Sequence, residues 1–154
     1  SRLRKTMITL TVYGLDQFVV GRLSRELTER LAKLYEIDED EINFIAPENM
    51  VFHNGVEQTS WNTKIIVHAP ERYKILNIQN EIAELLLHEV STYSINVCVE
   101  FTYYDLGMYY TQFNDDYPRF IAEDNLVNLE DDESFDEEDE GELYDGDVFA
   151  PYLK

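Results

Sequence analysis

The sequence predicts an α+β domain, an α/β sandwich in which two β-α-β units form a four-stranded mixed sheet with two helices on one face. Three observations lead there. Apolar residues alternate with period two, then recur every three or four positions, then alternate again. The pattern occurs twice at an offset of about 56 residues, so that Gly14 answers Pro70, Leu27 answers Ala83, Leu31 answers Leu87 and Leu34 answers Val90. Finally, the acidic residues are concentrated behind both units, in a segment too charged to take part in the core.

The first unit opens with Thr6–Tyr13, where Ile8, Leu10 and Val12 face one way and Thr9, Thr11 and Tyr13 the other, as in a half-buried strand. Gly14 breaks the strand, and Asp16 offers a carboxylate to the first amides of a helix. Val20, Leu23, Leu27, Leu31 and Leu34 make its apolar stripe, with Arg22, Arg25, Glu29 and Lys33 elsewhere, to about Tyr35. Asp38–Glu41 reads as a solvated turn, and Ile42–Ala46 as a second strand ended by Pro47. Met50–Val56 reads as a small hairpin, because Asn54-Gly55 suits a type I′ turn.

The second unit repeats the order. Lys64–Ala69 alternates through Ile65, Val67 and Ala69, and Pro70 fits the first turn of a helix. Ile75, Ile78, Ile82, Leu85, Leu86 and Val90 form the helical stripe. The last strand spans about Ser94–Tyr104, with Ile95, Val97, Val99, Phe101 and Tyr103 on one face and Asn96, Cys98 and Glu100 on the other. Right-handed crossovers make each pair of strands parallel. The sheet face away from the helices is semi-polar, suited to solvent or to neighbouring subunits.

Residues 1–117 form this domain and residues 118–154 the tail. Between Glu123 and Asp147, 14 of 25 residues are Asp or Glu and none is Lys or Arg. Residues 1–113 carry 16 acids and 10 bases, a net of −6; residues 114–154 carry 16 acids and 2 bases, a net of −14. Such a segment is expected to be disordered when free, or held by something basic. Phe135, Leu143, Tyr144, Val148, Phe149, Tyr152 and Leu153 interrupt the acids, and this alternation is that of segments that fold onto partners. The plainer reading is a solubility tail with incidental aromatics. The charge argues against direct contact with nucleic acid and for a basic protein partner.

No apolar run approaches the roughly 20 residues of a membrane span, and the basic N-terminus leads into a strand and not an apolar signal core. Ser1 reads as a processed or trimmed end, and Met7 as either internal or a true start. The single cysteine, Cys98, excludes an internal disulfide and fits a reducing cytoplasm. It reads as a small core or interface residue. His53, His68 and His88 lack partners at metal-ligand spacing and read as surface or capping residues, with His68 at a strand end the best placed for chemistry. No glycine pattern suits phosphate, and no cofactor is expected. Asp136, Glu138, Glu140, Gly141, Leu143 and Asp147 echo a calcium loop, but Asp is too short for its twelfth position, so no metal site is assigned.

Ile8-Thr9-Leu10-Thr11-Val12-Tyr13-Gly14, Leu23–Leu34, Val97-Cys98-Val99-Glu100-Phe101-Thr102 and the Tyr109-Tyr110 pair together resemble the tautomerase superfamily. More narrowly they are similar to a tautomerase-like family of small uncharacterised bacterial proteins, a domain of unknown function. The resemblance covers residues 7–113 and implies the doubled β-α-β fold and a homo-oligomer, a trimer. It also implies a general base, the secondary amine of an N-terminal proline, which this chain departs from: Met7-Ile8 stands there with residues ahead of it. The fold without that amine says little about activity. The balance therefore falls against an enzyme and towards a non-catalytic interaction or regulatory protein, whose tail binds a basic partner such as a nucleic-acid-binding machine. The alternative is a small-molecule enzyme or binder without the prolyl base, using His68, Tyr13 or Glu100.

Overall fold

The computed structural model describes residues 6–48 and 50–123. The chain divides into two units, Ser1–Gln112 and Phe113–Lys154. The first contains β1 (Ile8–Tyr13), α1 (Gln17–Tyr35), β2 (Ile42–Ile45), β3 (Phe52–His53), β4 (Val56–Glu57), β5 (Asn62–Pro70), α2 (Leu76–Val90) and β6 (Asn96–Tyr104). In the second, the Arg119 guanidinium lies 3.9 Å from the centroid of the Phe113 ring, and the Asn114 side chain accepts from the Asp116 amide at 2.9 Å.

Four strands form one mixed sheet in the order β2-β1-β5-β6. The pairs β1–β2 and β5–β6 are parallel, as the two crossovers require, and β1 meets β5 antiparallel, joining the units back to back. The alternation has a direct consequence. Ile8, Leu10, Val12, Ile65, Val67 and Ala69 are all buried on the helix side, against Leu23, Leu27 and Leu31 of α1 and Ile82, Leu86 and Val90 of α2. Both helices thus cover one face, and among the described residues of this unit no element covers the other, the open face.

Local chemistry sets the element ends. The Asp16 carboxylate accepts from the Phe18 amide at 2.6 Å and caps α1. The helix closes where Glu36 turns left-handed, φ 60°, and its amide and that of Ile37 return to carbonyls of the last turn. Asn54 and Gly55 have φ of 49° and 84°, the type I′ geometry expected of the hairpin. Gly14, φ 92°, sits so near β5 that a Cβ there would lie 2.2 Å from the Asn62 carbonyl oxygen.

The second helix starts later than its sequence suggests. Pro70 precedes a single 3-10 turn, Glu71–Tyr73, and Ile75 is extended (φ −124°) and about half exposed, outside the stripe. Packing explains the delay. The turn sets Tyr73 edge-on to Tyr35, centroids 5.3 Å apart, and lets Arg72 reach Thr6, neither of which a helix running straight on from Pro70 would allow. Smaller corrections follow the same logic. β1 begins at Ile8, β6 begins at Asn96 and leaves Ile95 exposed, and Cys98 is an exposed residue of the open face, not part of the core. No described helix is long and apolar enough to cross a membrane.

Candidate functional site

The open sheet face displays the polar half of each alternating strand. Thr9 donates to Asn43 between β1 and β2 at 2.7 Å, and Asn96 to Asn62 between β6 and β5 at 3.1 Å. Two groups of side chains stand out on this face. They sit at opposite ends of β5, around His68 and around Lys64, four residues or about 13 Å of strand apart.

The first group gathers where β1 begins and β5 and β6 end. Because β1 runs against the other two, its first residues meet their last. The Tyr104 hydroxyl is held from two sides by Met7, donating to its carbonyl at 2.8 Å and lying 3.3 Å from its amide nitrogen. Met7 is preceded by Thr6, which is 2 % exposed, and whose hydroxyl oxygen accepts from Arg72 Nη2 at 3.1 Å. The His68 ring lies over Tyr104, centroids 4.9 Å apart, and Tyr109 stacks at 4.8 Å from Tyr104. His68 Nδ1 is 2.6 Å from the Thr102 hydroxyl, which fixes the imidazole plane. Burial pushes the Tyr104 phenol up from its ordinary range, with the Met7 hydrogen bond pulling the other way. Tyr104 is therefore a neutral donor near pH 7, not a base. As an ensemble, these residues can present a planar aromatic surface with a guanidinium and an imidazole at its margin.

The second group surrounds Lys64, whose ammonium meets the Glu100 carboxylate at 3.0 Å with both side chains about half exposed. The hydrogen bond and charge of Glu100 raise the Lys64 pKa, the lysine itself being open to solvent. Cys98 is its register partner on β6 and Tyr13 on β1. Val51, Asn62, Thr63, Asn96, Val97 and Cys98 line, with Lys64, a shallow groove of about 190 Å³. This groove is smaller than the roughly 300–1,000 Å³ of ordinary ligand pockets.

The three polar residues singled out from the sequence therefore do not form one constellation. Tyr13 and Glu100 flank Lys64, while His68 belongs to the Tyr104 group. His53 and His88 are exposed, in the hairpin and on α2. The residues proposed for partner binding, Phe135, Leu143, Tyr144, Val148, Phe149, Tyr152 and Leu153, lie outside the described residues, as does the calcium-loop echo. Among the described residues, ligand atoms of Asp38, Asp40 and Glu41 lie within 4.8 Å of one another on the α1–β2 turn. Acids gather in this way on any acidic turn, and no metal site is assigned to them.

Sequence reasoning missed Arg72, Thr6, Tyr104 and Tyr109. Tyr104 was within reach, since the alternation that puts Cys98 and Glu100 on the open face puts Thr102 and Tyr104 there too. Arg72 was not, because only the unforeseen 3-10 turn directs it to the start of β1.

No protein-family model matches the chain, and no curated protein matches it in sequence. Solved structures do match its fold. A domain-of-unknown-function protein (DUF1904) from Sebaldella termitidis superposes with a TM-score of 0.62 at 22% identity, over 69% of this chain and 96% of that one. A macrophage migration inhibitory factor-like protein from Entamoeba histolytica gives 0.53 at 10% identity, over 70% and 96%. N1, a member of the cis-3-chloroacrylic acid dehalogenase family, gives 0.54 at 14% identity, over 68% and 80%. At these identities the likeness is one of fold: the chain carries a tautomerase-like fold.

Proposed function

We propose that this chain is a non-catalytic interaction protein: a tautomerase-like domain, assembled as a homo-oligomer, that presents an acidic tail set with aromatic residues to a basic protein partner. The observation that carries the reading is the setting of Met7. Where the fold resemblance implies a free prolyl amine, the nitrogen is a peptide amide, behind a buried Thr6 and beside the Tyr104 hydroxyl. A peptide amide has no lone pair available for proton abstraction, so this nitrogen does not serve as the general base that the resemblance implies. The second support is the net charge of −14 on residues 114–154, where 16 acids stand beside only two bases. Charge of that density draws a basic surface from a distance, and Phe135, Tyr144 and Phe149 would supply contact once it arrives. A nucleic-acid-binding protein, whose phosphate site the tail would occupy, fits that chemistry. The exposed thiol of Cys98 suits a reducing compartment such as the cytoplasm.

Pull-down with the full chain and with a chain ending at Tyr117 tests the reading. Partners captured by the full chain alone, lost at high salt and weakened by Phe135→Ala with Tyr144→Ala and Phe149→Ala, are the expected result. Equal recovery by both chains would refute the role of the tail. Enol–keto conversion by the purified protein should run at the rate of buffer; acceleration abolished by His68→Ala or Arg72→Ala would overturn the non-catalytic assignment instead.

A further inference from the structure

Most tyrosines among the described residues have their rings or hydroxyls engaged. Tyr35 is buried against Tyr73, and Tyr109 stacks on Tyr104. The Tyr103 hydroxyl donates to Gln79 at 2.6 Å and that of Tyr104 to the Met7 carbonyl at 2.8 Å. Two tyrosines stand clear: Tyr110 is 84% exposed and Tyr117 is 70% exposed. Both belong to the stretch 109–118, which contains no helix or strand.

Their surroundings differ. Within three residues of Tyr110 on either side there is no charged side chain, whereas Tyr117 directly follows Asp115 and Asp116 and precedes Pro118. Asn114 shapes the turn that displays Tyr117: its side chain accepts from the Asp116 amide at 2.9 Å and its carbonyl from the Tyr117 amide at 3.2 Å. A turn held by two such bonds, with no ladder behind it, opens at little cost, so an enzyme can draw the segment out. Pro118 favours the extended form, because it biases the residue before it away from helical backbone. A displayed phenol behind two carboxylates suits a transferase whose substrate groove is basic, charge guiding the encounter.

We infer that Tyr117 is a phosphorylation site, the acceptor for a tyrosine kinase with a basic substrate groove. The γ-phosphoryl group of a nucleoside triphosphate passes to Tyr117 Oη. A P–O bond to the phenolic oxygen forms, the bond to the diphosphate oxygen breaks, and the phenolic proton goes to a carboxylate of the kinase. The product brings about two negative charges beside Asp115 and Asp116, two residues from Arg119, the single Lys or Arg between Lys74 and Lys154. The Arg119 guanidinium lies 3.9 Å from the centroid of the Phe113 ring. Charge-assisted hydrogen bonds to a phosphate are stronger than contact with a partly exposed ring face, so the guanidinium passes from Phe113 to the phosphate and the turn rearranges. The modification does not require the tail to have a partner, so it stands or falls apart from the interaction reading above.

Incubating the full chain with ATP and a tyrosine kinase of broad specificity is the test, read by intact-mass and fragment mass spectrometry. Phosphate is expected on Tyr117 first, lost from that position in Tyr117→Phe and kept in Tyr110→Phe. Asp115→Lys with Asp116→Lys should slow transfer about tenfold or more, because the attraction to a basic groove is removed. Nuclear magnetic resonance of the Arg119 side chain should shift when the wild-type chain is phosphorylated and stay fixed in Tyr117→Phe treated alike. An unmodified chain, or phosphate on Tyr110, Tyr144 or Tyr152 in preference to Tyr117, would overturn the assignment. A rate indifferent to the two lysines would overturn the basic-groove class of kinase, and an unmoved Arg119 signal would overturn its transfer from Phe113.

Discussion

Gly14 joins the two β-α-β units, and substituting it separates two costs that are usually confounded. The residue ends β1 with φ 92°, and its carbonyl accepts from the Ser60 amide at 2.9 Å as the chain enters β5. Gly14→Ala meets a conformational penalty of about 1–2 kcal/mol for an L-residue at positive φ. It also sets a Cβ 2.2 Å from the Asn62 carbonyl oxygen, where ordinary contact begins at 3.4 Å. The obstructing atom is backbone and belongs to the first residue of β5, so relief requires the strand to move by about 1 Å, and overpacking of that kind costs about 1–3 kcal/mol. The sum is about 2–5 kcal/mol. Gly55→Ala provides the internal reference: its φ is 84°, but nothing lies within 4 Å of the added Cβ, so only the first cost applies. Urea unfolding of both variants at one protein concentration measures the difference, which should be about 1–3 kcal/mol. Should Gly14→Ala unfold within about 0.5 kcal/mol of Gly55→Ala, the close approach of β1 and β5 at Gly14 would be wrong.

Glu36 ends α1 in the left-handed region at φ 60°, so Glu36→Gly should stabilise the fold by about 1 kcal/mol, raising the urea midpoint without changing its slope. Burial, with Tyr103 and Tyr73 adding to it, holds the Tyr35 phenol far above its ordinary value of 10.0. Unfolded Tyr35 ionises near that value while the folded one stays neutral, so its contribution is complete below about pH 10 and is lost as pH rises beyond it, by at most about 1.4 kcal/mol per pH unit. Tyr35→Phe should therefore flatten the alkaline limb of a stability–pH curve and change stability at pH 7 by less than about 1.5 kcal/mol; an unchanged alkaline limb would count against the burial of this hydroxyl. Tyr104→Phe removes the donor to the Met7 carbonyl and should cost about 1–2 kcal/mol in thermal or chemical unfolding, with a null effect showing that the start of β1 is held by strand pairing alone.

The elements legible in the sequence were those governed by a single period. Ile8, Leu10 and Val12 alternate, Leu23, Leu27 and Leu31 follow the helical repeat, and both sets lie where their spacing puts them, at most 1 % exposed. Asp16 and Asn54-Gly55 were legible for a different reason, since capping and left-handed turns are decided by a residue and its immediate neighbours. What the sequence hid was decided across the fold. Pro70 permits a helix start, but whether the chain takes it depends on Tyr73 finding Tyr35, 38 positions earlier. Cys98 was legible in part: its hydrophobic character suggests a core or interface residue, while alternation sets it beside Asn96 and Glu100 on the open face, where it is exposed.

The same distinction bears on where function resides. Tyr104, His68, Arg72 and Tyr109 converge only because β1 runs antiparallel to β5, so that the start of one strand lies beside the ends of two others. In a fold of this kind that corner collects side chains from four segments, and a reactive group placed at the head of β1 would be surrounded by aromatic and cationic neighbours. Here the head of β1 is Met7, and the Tyr104 hydroxyl satisfies its carbonyl and lies against its amide. Polar atoms that could have faced a ligand are engaged within the protein instead: Arg72 with the Thr6 hydroxyl, Tyr104 with the Met7 backbone, His68 with the Thr102 hydroxyl. A ligand contact to any of these three atoms would first have to break one within the protein, which lowers what binding at this corner gains.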